Sequence, residues 1–241
     1  MIEACTIIAK DYRDFLKELP ESTVDLVLTD PPYTISRETG FAQVKNGVKR
    51  FAVSMNFGEW DHQQIDLDVL ACETYRVLRR GGTAIVWYDV WKIGDLHNAF
   101  AYAGFKMLRL IVWNKANPVP INSRRTYLSN SREMAVVGVK VGSPTFNSVY
   151  DSGDYSYPIP RHGGQRIHPT QKPLDLFQEL VRKHSNPGDL VVDPFLGSGT
   201  TAVAALQEAR IFKGCDIDEK YVQLAATRVE LDSRQGKLLT L

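Results

Sequence analysis

Val24-Asp25-Leu26-Val27-Leu28 is an almost continuous apolar run, and it ends abruptly on Thr29-Asp30-Pro31-Pro32-Tyr33. Such a run reads as a strand buried on both faces of a parallel sheet. The strand must stop at Pro31, because proline has no N–H for the ladder and restricts the backbone of Asp30 before it. In open parallel sheets ligands lie beyond the carboxyl ends of the strands, which is where this turn projects. Two consecutive prolines stiffen it, with an acid at the start and an aromatic ring at the end. A carboxylate and a ring held in that way suit a flat, hydrogen-bonding substrate such as a nucleobase. A proline-rich loop with a solvated acid would read the same, so this turn constrains the fold before it constrains the function.

The rest of the chain fits a sheet of this kind. Residues 3–8 read as a strand ending near Asp11, and Tyr12 to Leu19 as a helix stopped by Pro20. Asp66 to Arg80 has the apolar spacing of a helix, with Gly81-Gly82 as its terminator. Thr83 to Trp87 reads as a buried strand and Leu96 to Ala103 as a helix ending at Gly104. Residues 105–113 and 133–140 are strand candidates, and a helix runs from Pro173 to about Ser185. A βαβ unit follows: strand Asp189 to Asp193, helix Thr200 to Ala209, strand Ile211 to Cys215, with Glu219 to Asp232 as the last helix. Seven strand candidates with interleaved helices make an α/β doubly wound sheet. Two regions lack a period. Residues 34–60 are long enough without structure to be a functional, mobile loop. Residues 117–131 and 141–166 read as an inserted recognition region within a single domain spanning 1–241.

A net charge of +1 conceals a polarised molecule. Residues 115–172 carry eight basic side chains (Lys115, Arg124, Arg125, Arg132, Lys140, Arg161, Arg166, Lys172) against Glu133, Asp151 and Asp154. Residues 34–58 carry Arg37, Lys45, Lys49 and Arg50 against Glu38, interleaved with Phe41, Phe51 and Phe57. One basic face with aromatics suits an anionic polymer such as nucleic acid, and places Arg37, Lys45, Lys49, Arg50, Arg124 and Arg125 as candidate DNA contacts. Cys5, Cys72 and Cys215 form no CxxC pair, which argues against a disulfide framework or a zinc site and for a reducing, cytoplasmic setting. None of the five histidines has metal-ligand spacing, so no metal is expected. No signal peptide and no membrane-length apolar run is visible.

Gly197-Ser198-Gly199-Thr200-Thr201 follows one strand and opens a helix, and Asp216 ends the next strand 19 residues beyond Gly197. That is the loose dinucleotide fingerprint: glycines for close backbone approach and an acid for ribose hydroxyls. The turn lacks the lysine of a phosphate-binding P-loop. An NAD oxidoreductase fits the spacing, but only 42 residues follow Gly199, too few for a second mononucleotide half in the usual order. Asp193-Pro194-Phe195 also places a carboxylate where a pyrophosphate would be repelled. A ligand with adenosine at one end and a cationic or zwitterionic group at the other fits better, which describes S-adenosylmethionine.

Asp30-Pro31-Pro32-Tyr33, then His168-Pro169-Thr170-Gln171-Lys172-Pro173, then Asp193-Pro194-Phe195-Leu196-Gly197-Ser198-Gly199-Thr200-Thr201 together resemble the β-class DNA amino-methyltransferases. In that class the catalytic motif precedes the cofactor motif. Phe57-Gly58-Glu59-Trp60-Asp61 also resembles a segment of small adenine-specific members. The resemblance spans about residues 4–230 and implies a Rossmann-like class I methyltransferase fold, a seven-stranded, mostly parallel sheet with permuted motif order. It implies S-adenosylmethionine as cofactor and a flipped-out base in double-stranded DNA as substrate. Asp30, Pro31, Pro32 and Tyr33 would be the catalytic motif. Gly197, Ser198, Gly199, Thr200, Asp193 and Phe195 would surround the methionine part, and Asp216 would hold the ribose. Asp11 and Tyr12 would meet the adenine of the cofactor, and Thr170, Gln171 and Lys172 its carboxylate. Asp at the first motif position favours adenine N6; cytosine N4 is the same-class alternative, and a non-catalytic DNA-binding protein with this fold is another. A homodimer and a cognate restriction endonuclease are the partners the resemblance adds to DNA.

Overall fold

The computed structural model describes residues 4–32, 65–118, 129–160 and 171–238. Its elements run β1 (Cys5–Ala9), α1 (Tyr12–Glu18), β2 (Val24–Thr29), α2 (Leu67–Val77), β3 (Leu78–Tyr88), α3 (Ile93–Ala103) and β4 (Lys106–Lys115). They continue with β5 (Arg132–Val139), β6 (Asp154–Tyr157), α4 (Leu174–His184), β7 (Leu190–Asp193), α5 (Thr200–Gln207), β8 (Ile211–Asp216) and α6 (Glu219–Leu238). The strands form one eight-stranded sheet in the order β1-β8-β7-β2-β3-β5-β4-β6. The strands from β1 to β3 in that order pair in parallel, and β5 alone runs against its neighbours β3 and β4.

The apolar run Val24 to Leu28 is β2, at the middle of the sheet. Leu26, Val27, Leu28 and Thr29 are fully buried. Val27 contributes to a core shared with α1, α2 and α3, while Leu26 and Leu28 face a second core shared with α4, α5 and α6. Helices therefore cover both faces, as a parallel sheet requires. Asp25, the polar interruption, pairs with Arg79 and accepts the backbone N–H of Leu190 at 2.8 Å, so it stitches β2 to its neighbours on both sides.

Two expectations change. Gly81-Gly82 does not end a helix: α2 stops at Val77, and the glycines lie inside β3. Val24 pairs with Leu78 but Leu26 with Thr83, so the extra residues form a bulge, and Gly81 takes a φ of +77° there. The sheet also has an eighth strand, β6, four residues long and paired with β4, within the stretch that shows no period. The loop 34–60, and with it Tyr33, Arg37, Lys45, Lys49 and Arg50, lies outside the described residues, as do Arg124, Arg125 and Thr170.

Candidate active site

All the parallel strands point their carboxyl ends to one edge, and β5, running the other way, brings its first residues there too. Asp30 leaves the end of β2, with Pro31 buried behind it and Pro32 half-buried. Its Oδ2 accepts from Lys172 Nζ at 2.5 Å. Lys172 is only 4% exposed and lies 5.6 Å above the ring of the buried Trp87. Asp30 Oδ1 is buried and has no hydrogen-bond partner among the described residues. Burial pushes the Asp30 carboxyl above the ordinary range; Lys172 opposes this, and the nearby Glu133 adds to it.

The glycine turn sits one strand away. Asp193, at the end of β7, accepts Thr29 Oγ1 at 2.5 Å and Thr201 Oγ1 at 2.6 Å, and the backbone N–H of Phe195 at 3.0 Å. Its carboxylate is turned into the fold, where it fastens the residue before Asp30 to the start of the glycine turn. The resemblance puts Asp193 beside the methionine; the structure gives its side chain this bracing position. Burial pushes its carboxyl up to about 6, against the hydrogen bonds it receives.

Asp216 ends β8 and organises the opposite wall. Its Oδ2 accepts Gly197 N–H at 2.9 Å and its Oδ1 accepts Asp218 N–H at 3.0 Å. Each oxygen can accept a further bond through its second lone pair, and two such acceptors are what the two hydroxyls of a ribose diol need. Gly197 has a φ of +49°, and a Cβ added there would meet nothing within 4 Å, so the turn opens onto free space. Gly199 differs: a Cβ there would come within 2.8 Å of Ala225 Cβ, so this glycine lets α6 approach α5. Tyr12 and Phe195 pack with ring centroids 4.8 Å apart and planes tilted by 37°, an apolar wall beside the turn. An open glycine cradle, a carboxylate with spare acceptors and an aromatic wall fit an adenosine-bearing cofactor. Ser198 and Thr200 are buried behind the turn. Gln171 is half-buried next to Lys172.

Asp11 comes to the same edge, since Ala9 pairs with Asp216 in the β1–β8 register. It caps α1 through the N–H of Arg13 at 2.8 Å and also takes both arms of the Arg13 guanidinium. The hydrogen bond from that side chain holds its carboxyl below the ordinary range against partial burial.

Three residues in this region escape a reading by motif. Arg228 of α6 reaches beneath the glycine turn and donates to Ser198 O and Thr200 Oγ1, both at 3.0 Å. Glu133 at the start of β5 lies 2.9 Å from Lys172 Nζ and 2.8 Å from Lys115 Nζ at the end of β4. A lone acid heading an apolar strand, Glu133-Met134-Ala135-Val136-Val137, is the signal that could have marked it.

The family model described as DNA methylase matches residues 24–227. The Type II methyltransferase M2.DpnII of Streptococcus pneumoniae is 29% identical, over 94% of this chain and 90% of its own. The Type II methyltransferase M2.MboI of Moraxella bovis is 29% identical, over 89% and 84%. The fold is similar to that of M1.HpyAVI in complex with SAM, with a TM-score of 0.71 at 24% identity over 93% of this chain and 98% of that one. It is equally similar to PvuII DNA methyltransferase (cytosine-N4-specific), with a TM-score of 0.71 at 20% identity over 93% and 88%. The family match runs from β2, which carries Asp30, to α6, which braces the glycine turn, and on that span the chain belongs to the N6/N4 DNA methylases.

Proposed function

We propose that this chain methylates adenine N6 in double-stranded DNA, in the manner of a β-class amino-methyltransferase. The observation that carries the reading is the bare Oδ1 of Asp30, a buried acceptor at the carboxyl edge of the sheet, one strand from the glycine turn. The cofactor is S-adenosylmethionine, which when bound supplies a sulfonium methyl to an amine nucleophile. Gly197, Phe195, Tyr12 and Asp216 would hold it, with Arg228 and Asp193 fixing the turn from behind. The exocyclic amine of adenine is a poor nucleophile because its lone pair is delocalised into the ring. Asp30 Oδ1 and the carbonyl of Pro31 each accept one of its N–H groups, which draws the nitrogen toward tetrahedral geometry. The methylated nitrogen is acidic, and Asp30, whose burial raises its proton affinity, stands in reach of that proton. Inside a duplex the amine is paired, so the base must be flipped out, with Tyr33 as the stacking platform, worth ~1–3 kcal/mol.

Arg37, Lys45, Lys49, Arg50, Arg124 and Arg125 serve the DNA backbone or bases in this reading, and residues 117–166 select the site. A second copy of the chain and a cognate restriction endonuclease are the partners it adds. The choice of adenine rests on Asp at the first motif position; the cytosine-N4 specificity named for PvuII methyltransferase marks the alternative. Duplex DNA is incubated with the protein and methyl-labelled S-adenosylmethionine, then digested to nucleosides for mass spectrometry. Labelled N6-methyladenine is expected. N4-methylcytosine would reassign the base, and no labelled nucleoside would overturn the reading.

A further inference from the structure

The charges at Asp30 continue past Lys172. Asp30, Lys172, Glu133 and Lys115 touch in sequence at 2.5, 2.9 and 2.8 Å, alternate in sign and are neutral together. They join the end of β2, the segment before α4, the start of β5 and the end of β4. We propose that Glu133 and Lys115 are positioning residues for methyl transfer: they hold Lys172 against one oxygen of Asp30, so that the other oxygen, buried and without a hydrogen-bond partner among the described residues, is left for the target amine. This rests on the reading of Asp30 as the amine's acceptor.

Geometry carries the argument. An ammonium paired with Asp30 alone could swing between its two oxygens and occupy the one the substrate needs. Glu133 Oε2 pulls Lys172 to the Oδ2 side, and Trp87 closes the face beneath it. Lys115 in turn holds the other oxygen of Glu133, so the carboxylate cannot rotate away without losing a partner. Energetics agree: a charge as buried as Lys172 is stable only if paired and hydrogen-bonded. Sharing it between two acids leaves Asp30 incompletely neutralised. Burial, Lys172 and Glu133 set its carboxyl, in that order of size, and among the described residues Asp193 at the end of β7 also acts on it as a like charge. Glu133 is held below the ordinary range although burial pushes it up, because Lys172 and Lys115 together outweigh that push.

The two arms of the chain should therefore move Asp30 in opposite directions. Carboxyl-labelled aspartate NMR on the free, full-length protein follows the titration of Asp30, with Asp30→Asn assigning the signal. Glu133→Gln should lower its midpoint and Lys172→Met should raise it. In transfer assays Glu133→Gln should cut kcat by roughly 10- to 100-fold, the scale of a misplaced reacting group, with KM for DNA within about two-fold. The acid limb of its kcat profile should move down with the NMR midpoint. Because Glu133→Gln leaves two lysines sharing the single charge of Asp30, Lys115→Met/Glu133→Gln, which keeps the cluster neutral, is read for the same downward shift. A merely structural network predicts lower melting temperatures with the Asp30 midpoint and acid limb unmoved, and that result would overturn the proposal while wild-type methylation still stood. Absence of wild-type methylation would instead sink the functional reading, and the opposed NMR shifts, read without substrate, would still judge whether the four side chains are linked.

Discussion

Asp30 and Asp216 end two parallel strands at the same edge of one sheet, yet they are held in opposite ways. Asp216 is satisfied by backbone: both oxygens accept N–H groups, from Gly197 and Asp218, within the same βαβ unit. Asp30 is held by side chains: its partner Lys172 lies 142 residues away and depends on Glu133 and Lys115 from two further strands. Backbone donors are fixed by the path of the chain and survive side-chain changes nearby. Converging side chains can be tuned one charge at a time, and can be broken the same way. If, as proposed, Asp216 lines the cofactor and Asp30 meets the reacting amine, the two should respond differently to mutation.

The largest effect is expected at Asp30. Asp30→Ala should reduce transfer by roughly 10³-fold or more, the scale of a lost electrostatic stabiliser, with S-adenosylmethionine affinity within about two-fold. Single-turnover methylation and calorimetry measure the two, and near-normal turnover would remove Asp30 from the chemistry. The two glycines test the cofactor side. Gly197→Val puts a side chain into the open space of the turn, so affinity for S-adenosylmethionine should fall by roughly ten-fold or more, about 1.4 kcal/mol per ten-fold. Gly199→Ala should chiefly lower the melting temperature, because its Cβ would strike Ala225. Both glycines have positive φ, so both variants strain the backbone and lose some stability; an affinity loss in Gly197→Val no larger than that in Gly199→Ala would mean that the turn has no free side.

The same contrast explains what the sequence made legible. The fold class, the parallel centre and the glycine turn all rest on local signals: apolar runs, a proline stop, glycines between a strand and a helix. Asp216 was readable because its role is set by a spacing within one βαβ unit. Asp30 was readable as an acid in a stiff turn, but its surroundings were not. The apolar period of residues 133–140 identifies a strand without giving its direction, and the reversal of β5 is what carries Glu133 to the edge where Asp30 lies. Arg228 sits on a long amphipathic helix, where one half-buried guanidinium leaves no trace in the period. Strand β6 is too short, and too dependent on β4 alone, to show alternation. The family resemblance implies Lys172 near the cofactor's carboxylate, and its contact with Asp30 was not legible in the sequence.

Asp193 joins the two halves and should give a smaller, pH-dependent effect. Its carboxyl lies near 6 in the folded protein because it is buried, against an ordinary 3.8. Below about pH 4 both folded and unfolded forms are protonated, and Asp193 is neutral to stability. Between about 4 and 6 the unfolded chain loses the proton first, so stability falls as pH rises, and above about 6 the loss is complete. Asp193→Asn keeps an acceptor for Phe195 and a polar partner for Thr201, so urea midpoints for this variant should lack that decline. Asp193→Ala, which removes the acceptor of the buried Thr29 hydroxyl and one of the two acceptors near Thr201, should be destabilised at every pH by about 1–3 kcal/mol. A wild type and an Asp193→Asn variant with parallel pH profiles would show that the buried group titrates normally.

The smallest effect separates two uses of one acid. Asp11 is the residue whose resemblance points to the cofactor's adenine, and the structure gives it a complete local role as the cap of α1 and the partner of Arg13. Asp11→Ala should therefore cost about 1 kcal/mol of stability, the usual worth of an N-cap. Part of that contribution should vanish in acid, because a carboxyl held below 3.8 stabilises the fold above that value and stops doing so as pH falls through its lowered one. Asp11→Ser retains the cap but not the charge. If Asp11 only caps, serine should restore both the melting temperature and the affinity for S-adenosylmethionine. If it also meets the cofactor, serine should restore stability while affinity stays several-fold weaker, the scale of one hydrogen bond to a charged group. Because the Asp11→Ser protein is folded in either case, calorimetry on it reads the ligand contact free of the helix, and an affinity equal to wild type would confine Asp11 to the backbone-held half of the site as a structural residue alone.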